Sequence, residues 1–335
     1  MTAAPLLEVR DVRVEFPGRA GVARAVDGVD LQMRAGEIVA LVGESGCGKT
    51  TLARTIVGLQ RPAAGEVLLN GAPLRYGRRA LRAHRRAVQM VFQDPTGALN
   101  ARQTLYEAVA EGVRIQGLPG DEEQLVAEAL SRAGLRPPER FFARYPYEIS
   151  GGQRQRVIIA GAMVLNPSLL VADEPVSSLD ASVRGEILAL MLRLVRETHV
   201  GILVVTHDLG LAWNVADRVA VMYLGRIVEQ GTTEEMLTAP RHPYTRALLS
   251  VVPEIAHVEP QILTGEAPDP TRIPSGCRFH PRCPLVASGE AQRLGIEERC
   301  RGEDLGLAPV PDAPAGSDQV VACHAVAAAT MAASP

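Results

Sequence analysis

The sequence predicts an α/β protein: a parallel sheet interrupted by a helical insertion, followed by a small cysteine-bearing extension. Three observations predict it. The apolar run Ile38-Val39-Ala40-Leu41-Val42 leads straight into a glycine-rich turn and a helix-forming stretch from Lys49. Two more apolar runs, Leu169 to Ala172 and Ile202 to Val205, flank a segment where Val183, Ile187, Leu190, Met191 and Leu194 recur at helical spacing. Beyond residue 255 the regular pattern gives way to prolines, glycines and four of the five cysteines.

In chain order, the alternation from Leu7 to Val14 predicts a strand, and Ile38 to Val42 a buried one. A helix follows from Lys49 to about Gly58, then short turn-bounded strands over 65–71 and Val88 to Gln93. The stretch from Thr104 to Leu165 reads as largely helical, after which strands and helices alternate again. Residues 1–255 therefore form the main domain, with a helical subdomain over about 95–165, and residues 256–335 form the extension. The Ala- and Pro-rich residues after His324 read as a mobile tail. There is no internal repeat, so the chain carries one copy of this α/β unit.

With 335 residues, 47% hydrophobic and 22% charged, and a net charge of −3, the composition is that of a globular protein and lends nucleic-acid binding no support. No apolar run approaches the roughly 18 to 20 residues a membrane span needs, and the start MTAAPLLEVRDVRVEF has no signal-like pattern, so a cytoplasmic protein is expected.

Gly43-Glu44-Ser45-Gly46-Cys47-Gly48-Lys49-Thr50 fits the phosphate-loop pattern G-x-x-x-x-G-K-[ST], between a strand and a helix. Glycines let backbone N–H groups curl around phosphates, and the helix N-terminus adds its dipole. Lys49 is expected to reach the β- and γ-phosphates, Thr50 to offer its hydroxyl to Mg²⁺, and Thr51 to complete the nucleotide-binding run. Cys47 reads as a small filler. Asp173 and Glu174 end an apolar strand, where an open α/β sheet places its ligand chemistry. Asp173 would hold Mg²⁺, and Glu174 would orient or deprotonate the attacking water. Taken alone, the pair could equally be a helix cap. Ser150-Gly151-Gly152-Gln153 offers a hydroxyl and backbone donors at a helix start, a second anion-seeking element.

The phosphate loop, Gln93 in Val-Phe-Gln-Asp-Pro, Ser-Gly-Gly-Gln, Asp173-Glu174, Ser-Leu-Asp180 and Thr-His207-Asp occur in the order found in ABC ATPases, and over about residues 6 to 252 the chain resembles that family. The resemblance implies a RecA-like core with an antiparallel β region and a helical subdomain. It implies ATP and Mg²⁺ as ligands, and head-to-tail pairing of two ATPases in which the Ser150 segment of one completes the site on the partner's phosphate loop. By the same resemblance Gln93 senses Mg²⁺ and the attacking water, Asp180 lies at the dimer interface, His207 contacts the γ-phosphate, and Phe16 stacks on adenine. Ile149 stands where the family usually has leucine, a volume-conserving change.

The loop with its following helix, and His242-Pro-Tyr-Thr-Arg-Ala-Leu-Leu249, resemble dipeptide/oligopeptide importer ATPases, whose pattern nickel importers largely share. The partners so implied are a second ATPase subunit of a different kind, two transmembrane permease subunits and an extracytoplasmic peptide-binding protein, with the chain at the cytoplasmic face of the membrane. Cys277-Arg-Phe-His-Pro-Arg-Cys283-Pro resembles the same subfamily's extension, whose cysteines hold an iron–sulfur cluster. Cys277, Cys283, Cys300 and Cys323 offer four ligands for a 4Fe-4S cluster; zinc and plain buried cysteines are the alternatives.

Overall fold

The computed structural model describes residues 4–19, 21–93, 95–252, 261, 263, 265–266, 268–314 and 316–332. Two sheets organise the chain. The first is antiparallel, with β1 (Leu7–Gly18) between β2 (Gly21–Met33) and β4 (Ala64–Leu69), and β5 (Ala72–Pro73) at its edge. The second contains β3 (Ile38–Val42), β6 (Val88–Val91), β7 (Leu169–Asp173), β8 (Gly201–Thr206), β9 (Arg218–Tyr223), β10 (Arg226–Thr232), β11 (Ala308–Pro309) and β12 (Val320–Val321). Its order is β11-β12-β10-β9-β3-β8-β7-β6, parallel from β9 to β6 and antiparallel at the other end.

The apolar runs become the central strands because both of their faces are covered. Every residue of β3, β7 and β8 is buried. Alternate residues point into different cores. Leu169, Val171, Leu203 and Val205 pack with Leu52 and Ile56 of the helix Lys49–Ile56 and with the antiparallel sheet. Leu170, Ala172, Ile202 and Val204 face Ile187, Leu190 and Leu194 of the helix Ala181–Thr198, in a core continuous with the helical insertion. That insertion consists chiefly of the helices Leu105–Gln116, Glu122–Arg132 and Gly151–Met163, which close on Leu105, Val109, Leu130 and Val157. A capping box at Thr104 and Glu107 starts the first of them.

The extension is tied to the core in three ways. The strand β12 pairs with β10, Glu229 opposite Val321, and so prolongs the core sheet. Phe279 packs against Tyr223 and Tyr244 with ring centroids 5.3 Å from each. Aromatic pairs of this kind contribute about 0.5–1.5 kcal/mol each beyond their burial. Arg278 bonds the Asp27 carboxylate of β2 and, at 2.5 Å, the Leu224 carbonyl.

The boundary expected near residue 255 lies outside the described residues. The tail expected after His324 is corrected: His324–Ala332 is a helix. Alanine is the strongest helix former, and the helix is held because Ala325 and Ala328 pack against Ile296 and Cys300 while His324 Nε2 meets the Glu303 carbonyl at 2.9 Å. Among the described residues, no helix is long and apolar enough to cross a membrane.

Candidate active site

The ends of β3, β7 and β8 lie side by side, with Val42 opposite Thr206 and Asp173 opposite Val205. Whatever follows these strands therefore converges at one edge of the sheet. After β3 the phosphate loop turns back on itself and delivers the helix Lys49–Ile56. Two of its glycines have no substitute: at Gly43 (φ 155°) a Cβ would meet the Met222 carbonyl oxygen at 2.1 Å, and at Gly48 (φ 110°) the Ala25 carbonyl oxygen at 2.0 Å. Lys49 lies across the loop, its Nζ donating to the carbonyls of Gly43 at 2.6 Å and Glu44 at 2.9 Å. Gly48 itself caps the helix in the left-handed region.

The Thr50 hydroxyl donates to Asp173 Oδ1 at 3.2 Å. Burial raises the Asp173 carboxyl; the bond from Thr50 opposes that rise, and the neighbouring Glu174 charge adds to it. Glu174 follows in the left-handed region, φ 50°, a conformation that costs a non-glycine residue energy and is held here by its N–H bond to the Val205 carbonyl at 2.8 Å. The turn aims its carboxylate at the end of β8, where Oε1 lies 2.6 Å from His207 Nδ1. Five of the residues singled out from sequence, Lys49, Thr50, Asp173, Glu174 and His207, are thus joined into one constellation by the sheet. Cys47 is buried, and burial pushes its thiol up, which suits a filler and not a nucleophile.

The other sequence candidates surround this group. Gln93 is exposed just past the end of β6. Ser150 caps the helix Gly151–Met163 in a capping box with Gln153, accepting from the Gln153 N–H at 3.3 Å. A Cβ on Gly152 would press into Val183 at 2.5 Å, so this segment lies against the start of the helix Ala181–Thr198. Asp180 caps that helix, its carboxylate accepting from the Val183 N–H at 3.0 Å. That bond, with one from the Ser182 hydroxyl at 2.8 Å, holds Asp180 below the usual carboxylate range. Phe16 sits on β1, 42% exposed.

Residues 26–177 match the ABC transporter family, and residues 228–289 match the oligopeptide/dipeptide transporter C-terminal region. The chain is 43% identical over 340 residues to a probable peptide ABC transporter ATP-binding protein, y4tS, of Sinorhizobium fredii, covering 98% of this chain and 92% of that one. The chain belongs to the ABC transporter ATP-binding proteins. It is also 43% identical to the oligopeptide transport ATP-binding protein AppF of Bacillus subtilis, over 85% of this chain and 92% of the relative. A solved structure of the ATP-binding cassette MJ0796, a dimer in a post-hydrolysis state bound to ADP and Pi, superposes with a TM-score of 0.61 at 30% identity, covering 68% of this chain and 98% of that one.

In the extension of this ABC ATPase, Cys277, Cys283, Cys300 and Cys323 line one small cavity together with Phe279, Val286 and Ile296. All four are free thiols. Burial first, with the neighbouring thiols adding to it, pushes Cys277 up to about 12 and Cys300 up to about 11. Among the described residues, no group of three or more His, Cys, Asp or Glu side chains is arranged to hold a metal ion, so the expected iron–sulfur cluster and the zinc alternative both lack a preformed ligand set. The neighbouring histidines have backbone partners: His280 meets the Cys277 carbonyl and His324 the Glu303 carbonyl, each at 2.9 Å.

Sequence reasoning missed two residues of this ABC ATPase that touch its phosphate loop. Tyr244 Oη accepts the Glu44 N–H at 3.0 Å, and Arg282 bonds the Glu44 carboxylate with both terminal nitrogens. Both lie in segments whose only signal was resemblance to importer ATPases. Contacts spanning 200 and 238 residues leave no local pattern to read.

Proposed function

We propose that this chain is the ATP-hydrolysing subunit of an ABC importer of di- or oligopeptides, working at the cytoplasmic face of the membrane. The observation that carries the reading is the joining of Lys49, Thr50, Asp173, Glu174 and His207 at one sheet edge, in a chain whose C-terminal region matches that of oligopeptide/dipeptide transporters. In the proposed site the loop 43–51 cradles the triphosphate and Lys49 swings from its two carbonyl partners to the β- and γ-phosphates. Phe16 stacks on adenine. The hydroxyl and carboxylate of Thr50 and Asp173 are hard oxygen donors suited to Mg²⁺, with the phosphates supplying further ligands. Bound there, Mg²⁺ would neutralise developing charge on the phosphoryl oxygens.

Glu174 is the catalytic carboxylate, orienting the attacking water and accepting its proton. His207 fixes its rotamer and reaches the γ-phosphate, and Gln93 links the site to the membrane subunits. Ser150, Gly151, Gly152 and Gln153, with Asp180, complete the site of a second ATPase across a head-to-tail dimer. That second ATPase is a different chain; two permease subunits and an extracytoplasmic peptide-binding protein complete the assembly. ATP binding closes the dimer and hydrolysis reopens it. The domain division at residue 255, with the helical subdomain at about 95–165, belongs to this reading.

The four-thiol cavity is the finer part of the proposal. A lone ion draws its sulfurs to about 2.3 Å from one point, whereas a 4Fe-4S core takes four thiolates spread around a larger body. Four free thiols line one cavity and are the donors this reading draws on, though they are not gathered into a preformed ligand set. Cys277, Cys283, Cys300 and Cys323 would hold a cluster bound there, which would staple separated stretches of the extension. Iron and acid-labile sulfide in the anaerobically purified chain, lost on Cys300→Ser, is the expected result; an iron-free chain would remove this part of the reading.

The transport reading is tested by peptide uptake in cells lacking the gene and complemented with wild type or Lys49→Ala. Uptake restored by wild type alone is expected. Uptake that never depended on the gene would refute the peptide cargo.

A further inference from the structure

The segment Cys277–Cys283 reaches back across the molecule to the nucleotide loop. Arg282 Nη1 donates to Glu44 Oε2 at 2.8 Å and Nη2 to Oε1 at 3.1 Å, a two-pronged fork on the second residue of the phosphate loop. The Arg282 side chain is 8% exposed and that of Glu44 29%. Its guanidinium also sits 6.0 Å above the centre of the Tyr223 ring at the end of β9, and pairing with Glu44 drives its pKa upward, so it stays charged. The other polar groups of Glu44 are engaged too: Tyr244 takes its N–H and Lys49 donates to its carbonyl.

This arrangement answers a difficulty that the loop creates for itself. A carboxylate within a loop that must hold a polyphosphate repels its ligand, and the repulsion is strong where water is partly excluded. The fork neutralises that charge. It also fixes the rotamer and, through it, the start of the loop whose N–H groups must point at the phosphates. An ammonium would offer a point charge without the planar match.

We propose that Arg282, carried by the C-terminal extension, is a positioning residue for ATP binding: it neutralises and anchors Glu44, so the extension sets the nucleotide affinity of the ATPase core. The proposal rests on the nucleotide-site reading above. It makes the extension a functional part of the ATP site.

The test uses the purified full-length chain, with Mg-ATP affinity measured by calorimetry and the ATPase constants measured in the assembled transporter. Arg282→Met keeps the packing on Tyr223 and removes the fork. It should raise the Kd for Mg-ATP about tenfold, and KM in proportion, with kcat within about twofold, the split expected of lost binding in the ground state. Arg282→Lys should cost about threefold. The decisive variant is the double substitution Arg282→Met with Glu44→Gln: if Arg282 acts by neutralising Glu44, removing the carboxylate recovers most of the lost affinity. Wild-type affinity in Arg282→Met would overturn the proposal, as would a double variant as weak as Arg282→Met alone. Lys49→Ala separates the two readings, because normal ATP binding by that variant would bring down the nucleotide site itself and this proposal with it.

Discussion

His207→Ala isolates the contact that ties together the ends of two neighbouring strands, β7 and β8. The variant removes the partner of Glu174 Oε1, now 2.6 Å from His207 Nδ1, and leaves the carboxylate in its left-handed turn. A hydrogen bond to a charged group contributes about 1.5–3 kcal/mol. The Glu174 side chain is 12% exposed but that of His207 is 56% exposed, so screening by water places this one at the lower end, about 1.5 kcal/mol. If the bond holds Glu174 where it meets the attacking water, that energy is lost mainly from the transition state, a fall of at least about tenfold in kcat. Any direct contact of His207 with the γ-phosphate would deepen the fall. The assay is single-turnover phosphate release by the assembled transporter at saturating ATP, with ATP affinity measured separately. A kcat within twofold of wild type, or a loss appearing wholly in ATP affinity, would refute the assignment of His207 as the residue that orients the catalytic carboxylate.

Three further outcomes follow from the same geometry. Glu174→Gln keeps the size of the side chain but removes the carboxylate proposed to accept the proton, so ATP should still bind while turnover at this site stops; normal hydrolysis by the mutant transporter would contradict the role. Gly48→Ala places a methyl 2.0 Å from the Ala25 carbonyl oxygen at φ 110°, so the loop must shift and ATP affinity should fall at least tenfold, about 1.4 kcal/mol, in a chain with unchanged far-ultraviolet dichroism. Wild-type affinity in that variant would show that the loop does not need this backbone. For Asp27, burial alone would raise the carboxyl, but Arg278, then Arg226 and Arg13, more than offset it and hold it below its usual value. A carboxyl depressed in the folded state contributes stability that is present above its unfolded pKa, about 3.9, and is lost as pH falls from there through the folded value. Urea unfolding of Asp27→Asn should therefore show about 3 kcal/mol lost at pH 7, because Arg278 is left buried without its carboxylate, and a flatter acid limb below pH 4; identical acid limbs would count against the pairing.

What could be read from the sequence follows the range of the forces involved. The strands β3, β7 and β8 and the helix Ala181–Thr198 were legible because burial on both faces, or on one stripe, writes a periodic pattern into consecutive residues. Lys49 and Thr50 were legible from the phosphate-loop pattern, Asp173 and Glu174 from their place at the end of an apolar strand, where a parallel sheet gathers its ligand chemistry, and His207, just past the end of β8, from family resemblance. The helix after His324 was misread because an alanine-rich, charge-poor stretch at a chain end has the composition of a tail; only docking against Ile296 and Cys300 decides for the helix, and no local pattern records docking.

The Arg282–Glu44 fork is the sharpest case of what sequence hides. Glu44 could be read only as one of the unspecified positions of a phosphate loop, and Arg282 only as a residue between two cysteines. Neither has a meaning until β9, the helix Pro243–Ser250 and the extension stack Tyr223, Tyr244 and Phe279 into one cluster and bring the guanidinium under the loop. The short segment Cys277–Cys283 both lines the four-thiol cavity and carries Arg282 to the nucleotide loop, with Cys283 adjoining Arg282 in the chain. A change in backbone conformation at Cys283 therefore reaches Arg282 directly, and through it a charge that ATP must face. If Arg282 positions Glu44 as proposed, covalent adjacency to Cys283 at one end and the charge-assisted fork at the other would couple the extension to the ATP site, and their stabilities should then move together under any perturbation that loosens the cysteine cavity.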